Sequence, residues 1–265
     1  MAGRSRLLRV TPRLRFATLG VNGVARVAAL AWALGASLAS FAQDGGNPPQ
    51  DSRASSVQAQ NAGASAPASP PLVETKLDIR RFKLIERDSG NINYYEKVLD
   101  DPEGPMLRAR YRPGVDTAVL GLEIPEALRS KVKRVHWRWR VIIFPVHGNE
   151  CAPGKGDSAA SVFVTFKRGV KYYILKYSWS TDGPKGAVCD KRRNPFLVRD
   201  TVILESDGPT NSWIDEAINP RTEFVRHFGG SEADVPDLVG LGVMTDGDQT
   251  NSPAQADYAD FSVSS

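Results

Sequence analysis

Cysteine, histidine and long apolar runs are all scarce in this chain of 265 residues. Two cysteines, Cys151 and Cys189, are too few for an all-cysteine zinc site or a disulfide-dense scaffold. Neither lies directly after the N-terminal apolar segment, which argues against a lipid-anchored lipoprotein. The three histidines, His136, His147 and His227, lack HExxH spacing, and there is neither a Gly-x-Ser-x-Gly elbow nor a glycine-rich nucleotide loop. His147 and Cys151 are four apart, but zinc there would need Cys189 unpaired and a fourth ligand. Acidic residues are absent before Asp44, whereas Arg4, Arg6, Arg9, Arg13, Arg15 and Arg26 make the start strongly positive. The apolar run Val27 to Ser40 is too short to span a bilayer with margin. With small residues at Ser40 and Ala42, residues 1–42 read as a secretory signal peptide cleaved after Ala42. The expected product is periplasmic or secreted, with no membrane span left after cleavage.

Removing that segment changes the charge argument. Six of the 34 basic residues leave with it, so 28 face 30 acidic residues, a net −2 where the whole chain has +4. The pI near 9.1 belongs to the leader, and a nucleic-acid partner is not expected. In an oxidising compartment Cys151 and Cys189 are expected to pair. Closing a 38-residue loop that way contributes about 4 kcal/mol on the chain-entropy account. Residues 43–72 are rich in Ala, Ser, Gln, Pro and Gly and nearly free of large apolar side chains, the composition of a disordered tether.

Residues 73–265 form one expected domain, organised around Arg134 to Phe144. Val135, Trp137, Trp139 and Val141 alternate there with His136, Arg138 and Arg140, so one face is dry and the other polar. Each indole buries roughly 150–250 Å². Eleven strand-like segments, Ile79–Glu86, Asn93–Val98, Pro105–Tyr111, Ala118–Ile124, Val135–Phe144, Ala159–Phe166, Lys171–Trp179, Thr201–Ser206, Ser212–Ile218, Val239–Thr245 and Ala256–Val263, are separated by turn signals. Two stretches read as short helices: Pro125 to Ser130, and Pro220 to Gly230 with Asn219 as N-cap. The expectation is an all-β, two-sheet antiparallel β-sandwich of jelly-roll type. Ser161–Phe166 and Tyr172–Trp179 are expected to form a hairpin beside the Trp strand. Tyr173, Leu175, Tyr177 and Trp179 share one side and read as core, or alternatively as a platform on which a sugar stacks.

The order of Trp137-Arg-Trp-Arg-Val, Lys155-Gly-Asp157, Tyr172-Tyr-Ile-Leu-Lys-Tyr-Ser-Trp-Ser, Trp213 to Phe228-Gly, Gly242-Val-Met-Thr-Asp-Gly-Asp-Gln-Thr250 and Tyr258-Ala-Asp-Phe resembles an uncharacterised bacterial exported family, DUF3047. The likeness spans most of Leu77 to Val263. Where the family pattern has a second acid after Gly-Asp and then an Arg, this chain has Ser158 and Ser161. The family's Arg-Asn pair stands here as Ile218-Asn219, and its following Asp as Glu223. The resemblance implies a sandwich fold and brings no assigned chemistry.

Candidate chemistry lies in two places. Asp246-Gly-Asp248-Gln-Thr250 offers oxygen ligands at alternate positions, so Asp246, Asp248 and Thr250 could hold Ca²⁺ in a loop. An EF-hand is excluded, because Asn251 occupies the place of its glycine even though Asp257 falls at the twelfth position. An Asx-rich turn explains the same residues. Secondly, stacked sheets could bring Arg138 and Arg140 near Asp157 and Lys176, making with Trp179, Asp246 and Asp248 a groove for saccharide hydroxyls or carboxylates. The alternative is a solvated sheet face of ion pairs. Asp157, Glu205, Glu216 and Asp246 are the carboxylates a glycosidase would draw on, and His136 with Tyr177 the pair a uronate lyase would use. The missing motifs weigh against catalysis. The reading is an exported protein that binds carbohydrate or another envelope component without catalysis and without a cofactor beyond that calcium. Its alternatives are a polysaccharide-degrading enzyme on the same scaffold, and a structural or assembly protein of the envelope. Oligomeric state stays open.

Overall fold

A computed structural model describes residues 71–85 and 93–265. The expected signal peptide, and the tether up to residue 70, lie outside the described residues. Thirteen strands fall into two sheets. The first holds β1 (Glu74–Lys76), β3 (Tyr95–Val98), β4 (Met106–Tyr111), β6 (Arg134–Ile143), β11 (Ile214–Ile218) and β13 (Ala254–Ser264). Its order is β11-β6-β13-β4-β3, with β1 also on β13. The second holds β2 (Lys83–Leu84), β5 (Val119–Glu123), β7 (Ala160–Arg168), β8 (Lys171–Ser180), β9 (Val188–Arg193), β10 (Leu197–Ser206) and β12 (Asp237–Met244), ordered β2-β5-β12-β7-β8-β10-β9.

Alternation in β6 sets the architecture. Val135, Trp137, Trp139 and Val141 are fully buried, while His136, Arg138 and Arg140 are half-buried on the other side. The indoles reach across to β8: Trp137 packs 5.9 Å from Tyr177, and Trp139 5.8 Å from Trp179, ring centre to ring centre. The two sheets therefore face each other through an aromatic core. β7 and β8 do form a hairpin, but not beside β6 as expected; β6 pairs with β13 and β11, and the hairpin lies opposite it.

The first sheet is antiparallel throughout, but the second is mixed, correcting the expectation of antiparallel pairing in both. β8 and β10 run parallel from Leu197↔Tyr172 to Ser206↔Ser180. Leaving β8, the chain builds β9 on the edge and returns as β10 between them. β9 is Val-Cys-Asp-Lys-Arg-Arg, a charged segment without alternation, as suits an edge that must discourage further pairing. Cys189 on β9 is bonded to Cys151 in the β6–β7 loop, Cα–Cα 5.3 Å, which ties this edge down as expected.

The helix α1 (Pro220–Phe228) forms where expected, with the Asn219 side chain accepting from the Arg221 and Thr222 N–H groups and Gly229 at its end. Phe224 packs on Phe166 and Tyr173. Pro125 to Ser130 shortens to a single 3-10 turn, Glu126–Leu128, and Ile79–Glu86 to a 3-10 turn, Ile79–Arg81, followed by β2. Among the described residues no helix is long and apolar enough to cross a membrane.

Buried His227 fastens α1 to the second sheet, with Nδ1 3.0 Å from Asp200 Oδ2 and Nε2 3.6 Å from Glu223 Oε2. Its pKa is raised, first by the bond to Glu223 and then by Asp200, against the opposing effect of burial. The stabilisation it adds is thus complete below the unfolded value near 6.5 and is lost as pH rises through the higher folded value. His227→Gln is expected to cost about 1.5–3 kcal/mol at pH 6 and less at pH 9. Urea midpoints across that range check it; a cost that does not change with pH would contradict it.

Candidate functional site

The polar positions of β6 do not meet those of β8. Because Trp137, Trp139, Tyr177 and Trp179 fill the space between the sheets, Arg138 and Arg140 point outward from the first sheet and Lys176 outward from the second. The expected groove uniting Arg138 and Arg140 with Asp157, Lys176 and Asp246 does not form.

Arg138 and Arg140 belong to an ion-pair cluster centred on Asp257, which is fully buried. Arg108 binds it twice, at 2.8 and 2.9 Å, and Arg140 Nε once, at 2.8 Å. Arg138 pairs with Asp260 at 2.7 Å and Arg140 with Glu103. Both guanidinium groups lie over the Trp213 ring, 4.8 and 4.6 Å from its centre. This is a face of cross-strand ion pairs with its charges matched, its central acid enclosed by the arginines rather than solvated. Trp179 is a second correction: fully buried among Trp139 and Phe144, it donates its indole N–H to Asp207 O at 2.7 Å and offers no face to a sugar. His136 and Tyr177, the lyase pair, lie on opposite sides of the first sheet: His136 reaches Asp215 and Asp260 outside, Tyr177 fills the core.

On the second sheet the expected residues do assemble. Asp157, Asp246 and Asp248 each place a carboxylate oxygen within 4.8 Å of the others. Asp157 is fully buried and accepts from Gln249 N (3.2 Å) and Thr250 N (2.6 Å). Asp246 leaves β12 two residues past its end, where Thr117 Oγ1 donates to it at 2.9 Å and Asp248 N at 3.3 Å. Burial pushes Asp246 up to about 8, helped by repulsion from Asp248 and opposed by nearby Lys176. Burial and then Asp157 raise Asp248 as well. Asp157 takes the third position that Thr250 was expected to fill; the Thr250 hydroxyl instead meets Ser252 Oγ at 2.6 Å. Three clustered acids of this kind are neutralised by a shared proton or by a cation.

Lys176 is buried and ion-paired with Glu150, a loop residue that no periodicity marks. Ser158 Oγ also donates to Glu150, at 2.8 Å, and a hydroxyl chain continues through Ser161 (2.6 Å) to Ser178 (3.0 Å). Two of the positions at which this chain departs from the family pattern, Ser158 and Ser161, therefore touch. An acid and an Arg there would form an ion pair, and two serines keep the contact as a hydrogen bond.

Register extends this face into rows across the strands. Gly242, Phe163, Lys176 and Thr201 form one, on β12, β7, β8 and β10; Gly240, Thr165, Ile174 and Arg199 form the next. Lys176 Nζ lies 5.8 Å from the Phe163 ring centre. Thr165 and Thr201 are fully buried, and their hydroxyls have no hydrogen-bond partner among the described residues. Lone threonines in a buried-looking run give no signal by pattern, so Phe163, Thr165 and Thr201 were not foreseen.

The other two candidate carboxylates lie elsewhere, Glu216 on edge strand β11 of the first sheet and Glu205 on β10 of the second. Glu216, half-buried on β11, is pushed up to about 7 by burial and by Glu205, whose own partner is Lys185.

Comparison with curated proteins gives no match. Three solved structures are similar at 9% identity each. They are an endoglucanase 3 of family GH12 from Trichoderma harzianum (TM-score 0.36; 75% of this chain, 99% of that one), the xyloglucanase domain of the type three effector NopAA from Sinorhizobium fredii, in complex with cellobiose (0.34; 74% and 100%), and a mutant of ENZbleach xylanase (0.33; 72% and 85%). Residues 115–262, more than half of the chain and every residue of the acidic trio and the rows beside it, match a family described as a protein of unknown function, DUF3047, and the chain belongs to that family.

Proposed function

We propose that this is an exported protein whose two-sheet scaffold, of jelly-roll type, binds a polyhydroxylated ligand, a carbohydrate of the cell envelope, on the outward side of its second sheet. The observation that carries the reading is the pair of buried, unpartnered hydroxyls of Thr165 and Thr201. A buried hydroxyl left unpaired costs roughly 1–3 kcal/mol, so retaining two such groups on one face favours a partner that arrives from outside. Phe163, Gly240, Gly242 and the Glu150-paired Lys176 lie in the same rows and are enclosed to the same degree, so the ligand would reach this face by displacing what covers it. At the end of the face, calcium would be held by Asp157, Asp246 and Asp248.

Asp246 favours a second reading, polysaccharide cleavage. A carboxyl group that stays protonated near neutral pH beside other carboxylates is the equipment of a general acid.

Thr165→Val and Thr201→Val separate ligand binding from a structural role. Each keeps the shape and removes a hydroxyl that no described residue bonds. The expected result is unchanged or higher thermal stability, with at least tenfold weaker retention of the glycans bound on an array. New reducing or unsaturated ends on retained glycans would support cleavage. No retention of any glycan, with a protein captured by crosslinking, would replace both readings with an assembly role.

A further inference from the structure

Two adjacent turns at one end of the second sheet expose apolar side chains among basic ones. Val170, in the β7–β8 turn, is 74% exposed, and Phe196, in the β9–β10 turn, is 65% exposed. The Tyr172 N–H donates to Phe196 O at 2.8 Å, so the turns are neighbours and the two side chains belong to one tip. Residues 167–171 (Lys-Arg-Gly-Val-Lys) and 190–196 (Asp-Lys-Arg-Arg-Asn-Pro-Phe) hold six basic residues and one acid. Lys167 and Lys171 lie over Tyr172 and Tyr173, at 5.2 and 5.1 Å from the ring centres. Asp200 neutralises Arg193, Asp237 pairs in register with Lys167, and Arg168 reaches the backbone of Asp234, so the tip keeps a positive excess.

A single exposed apolar side chain needs no explanation, but two on touching turns ringed by cations fit one kind of partner. We infer that this tip docks on an anionic phospholipid surface, Phe196 and Val170 entering the headgroup region while the Lys and Arg side chains meet the phosphates. Basic groups are drawn to such a surface over about a Debye length, and amphipathic elements lie in its interface. The tip is at the far end of the sheet from the acidic trio, since β7 and β8 run from one to the other. Docking there would leave the proposed ligand face unobstructed.

Both native cysteines are bonded, so one introduced cysteine can carry an environment-sensitive fluorophore. The full chain would be labelled at Phe196→Cys, Val170→Cys or, as a control, Ser212→Cys. Ser212 is exposed at the opposite end, where Asp207 N meets Ser180 O and Asn211 N meets Val141 O. Each label reports its own surroundings, whatever other part of the chain meets the vesicle. With phosphatidylglycerol vesicles the labels at 170 and 196 are expected to shift to shorter wavelength, and that at 212 to stay unchanged. Affinity should be at least tenfold lower for phosphatidylcholine or in 0.5 M salt, and the shift should vanish with Arg168→Glu and Lys171→Glu. Equal shifts at 212, equal binding to phosphatidylcholine, or a response to a soluble polyanion but not to vesicles would each overturn the inference.

Discussion

Trp139→Ala is expected to lower unfolding stability by about 3–5 kcal/mol, the usual cost of deleting a fully buried large aromatic. Trp139 is wholly enclosed, edge-on to Trp137 at 5.6 Å and tilted against Trp179 at 5.8 Å. It is the ring through which β6 of one sheet grips β8 of the other, so the cavity would open where the sheets meet. Trp139→Phe keeps a ring there and should cost clearly less. Trp213→Ala removes an indole of the same size from the outer face, where Arg138 and Arg140 cover it and water can replace it. Its cost is expected to stay near 1 kcal/mol, the scale of exposed cation–π contacts. Urea unfolding with constant slope would give the three values. Equal losses at 139 and 213 would mean that the alternation in β6 does not divide core from surface.

That alternation was the most legible feature of the sequence, because one strand borders two different solvents. Trp137 and Trp139 could be assigned inward, and Arg138 and Arg140 to the other side, from spacing alone. The same pattern says nothing of which sheet a strand joins. Tyr177 meets Trp137 across the core as closely as it would on a neighbouring strand, so β8 was placed beside β6 when it lies opposite. From that one ambiguity follow both the expected union of Arg138 and Arg140 with Lys176, which does not form, and the placing of Trp179 against a ligand. β9 has no signal of this kind, because its apolar residues are only Val188 and Cys189 and the rest is Asp, Lys and Arg without alternation. At the site, Asp157, Asp246 and Asp248 were legible as acids in Gly-rich loops at strand ends. Glu150 was not, since only the fold makes it the buried partner of Lys176.

Among the described residues Asp246 carries the largest expected pH dependence below about pH 9. Its folded pKa of about 8 stands far above the unfolded value of 3.8, so the folded state holds a proton that the unfolded state gives up. Stability is therefore greatest below about pH 4 and is lost as pH rises towards 8, by up to roughly 5 kcal/mol if burial and repulsion act in full. Asp246→Asn keeps an oxygen for Thr117 Oγ1 and cannot ionise. It should match the wild type only below about pH 4, exceed it by roughly 1.5 kcal/mol at pH 5 and by several kcal/mol at pH 9, leaving the shallower slope that His227 imposes. Calcium at millimolar concentration should act in the opposite sense to hydroxide. It is expected to restore wild-type stability at pH 9, to do little at pH 5 where protons already neutralise the trio, and to leave Asp246→Asn almost unaffected. Denaturant midpoints at the two pH values, with and without calcium, supply all the comparisons. A wild type insensitive to calcium at both would leave the proton as the only neutralising partner of these acids, and a variant no more stable than the wild type at pH 9 would show that Asp246 is already ionised in the fold.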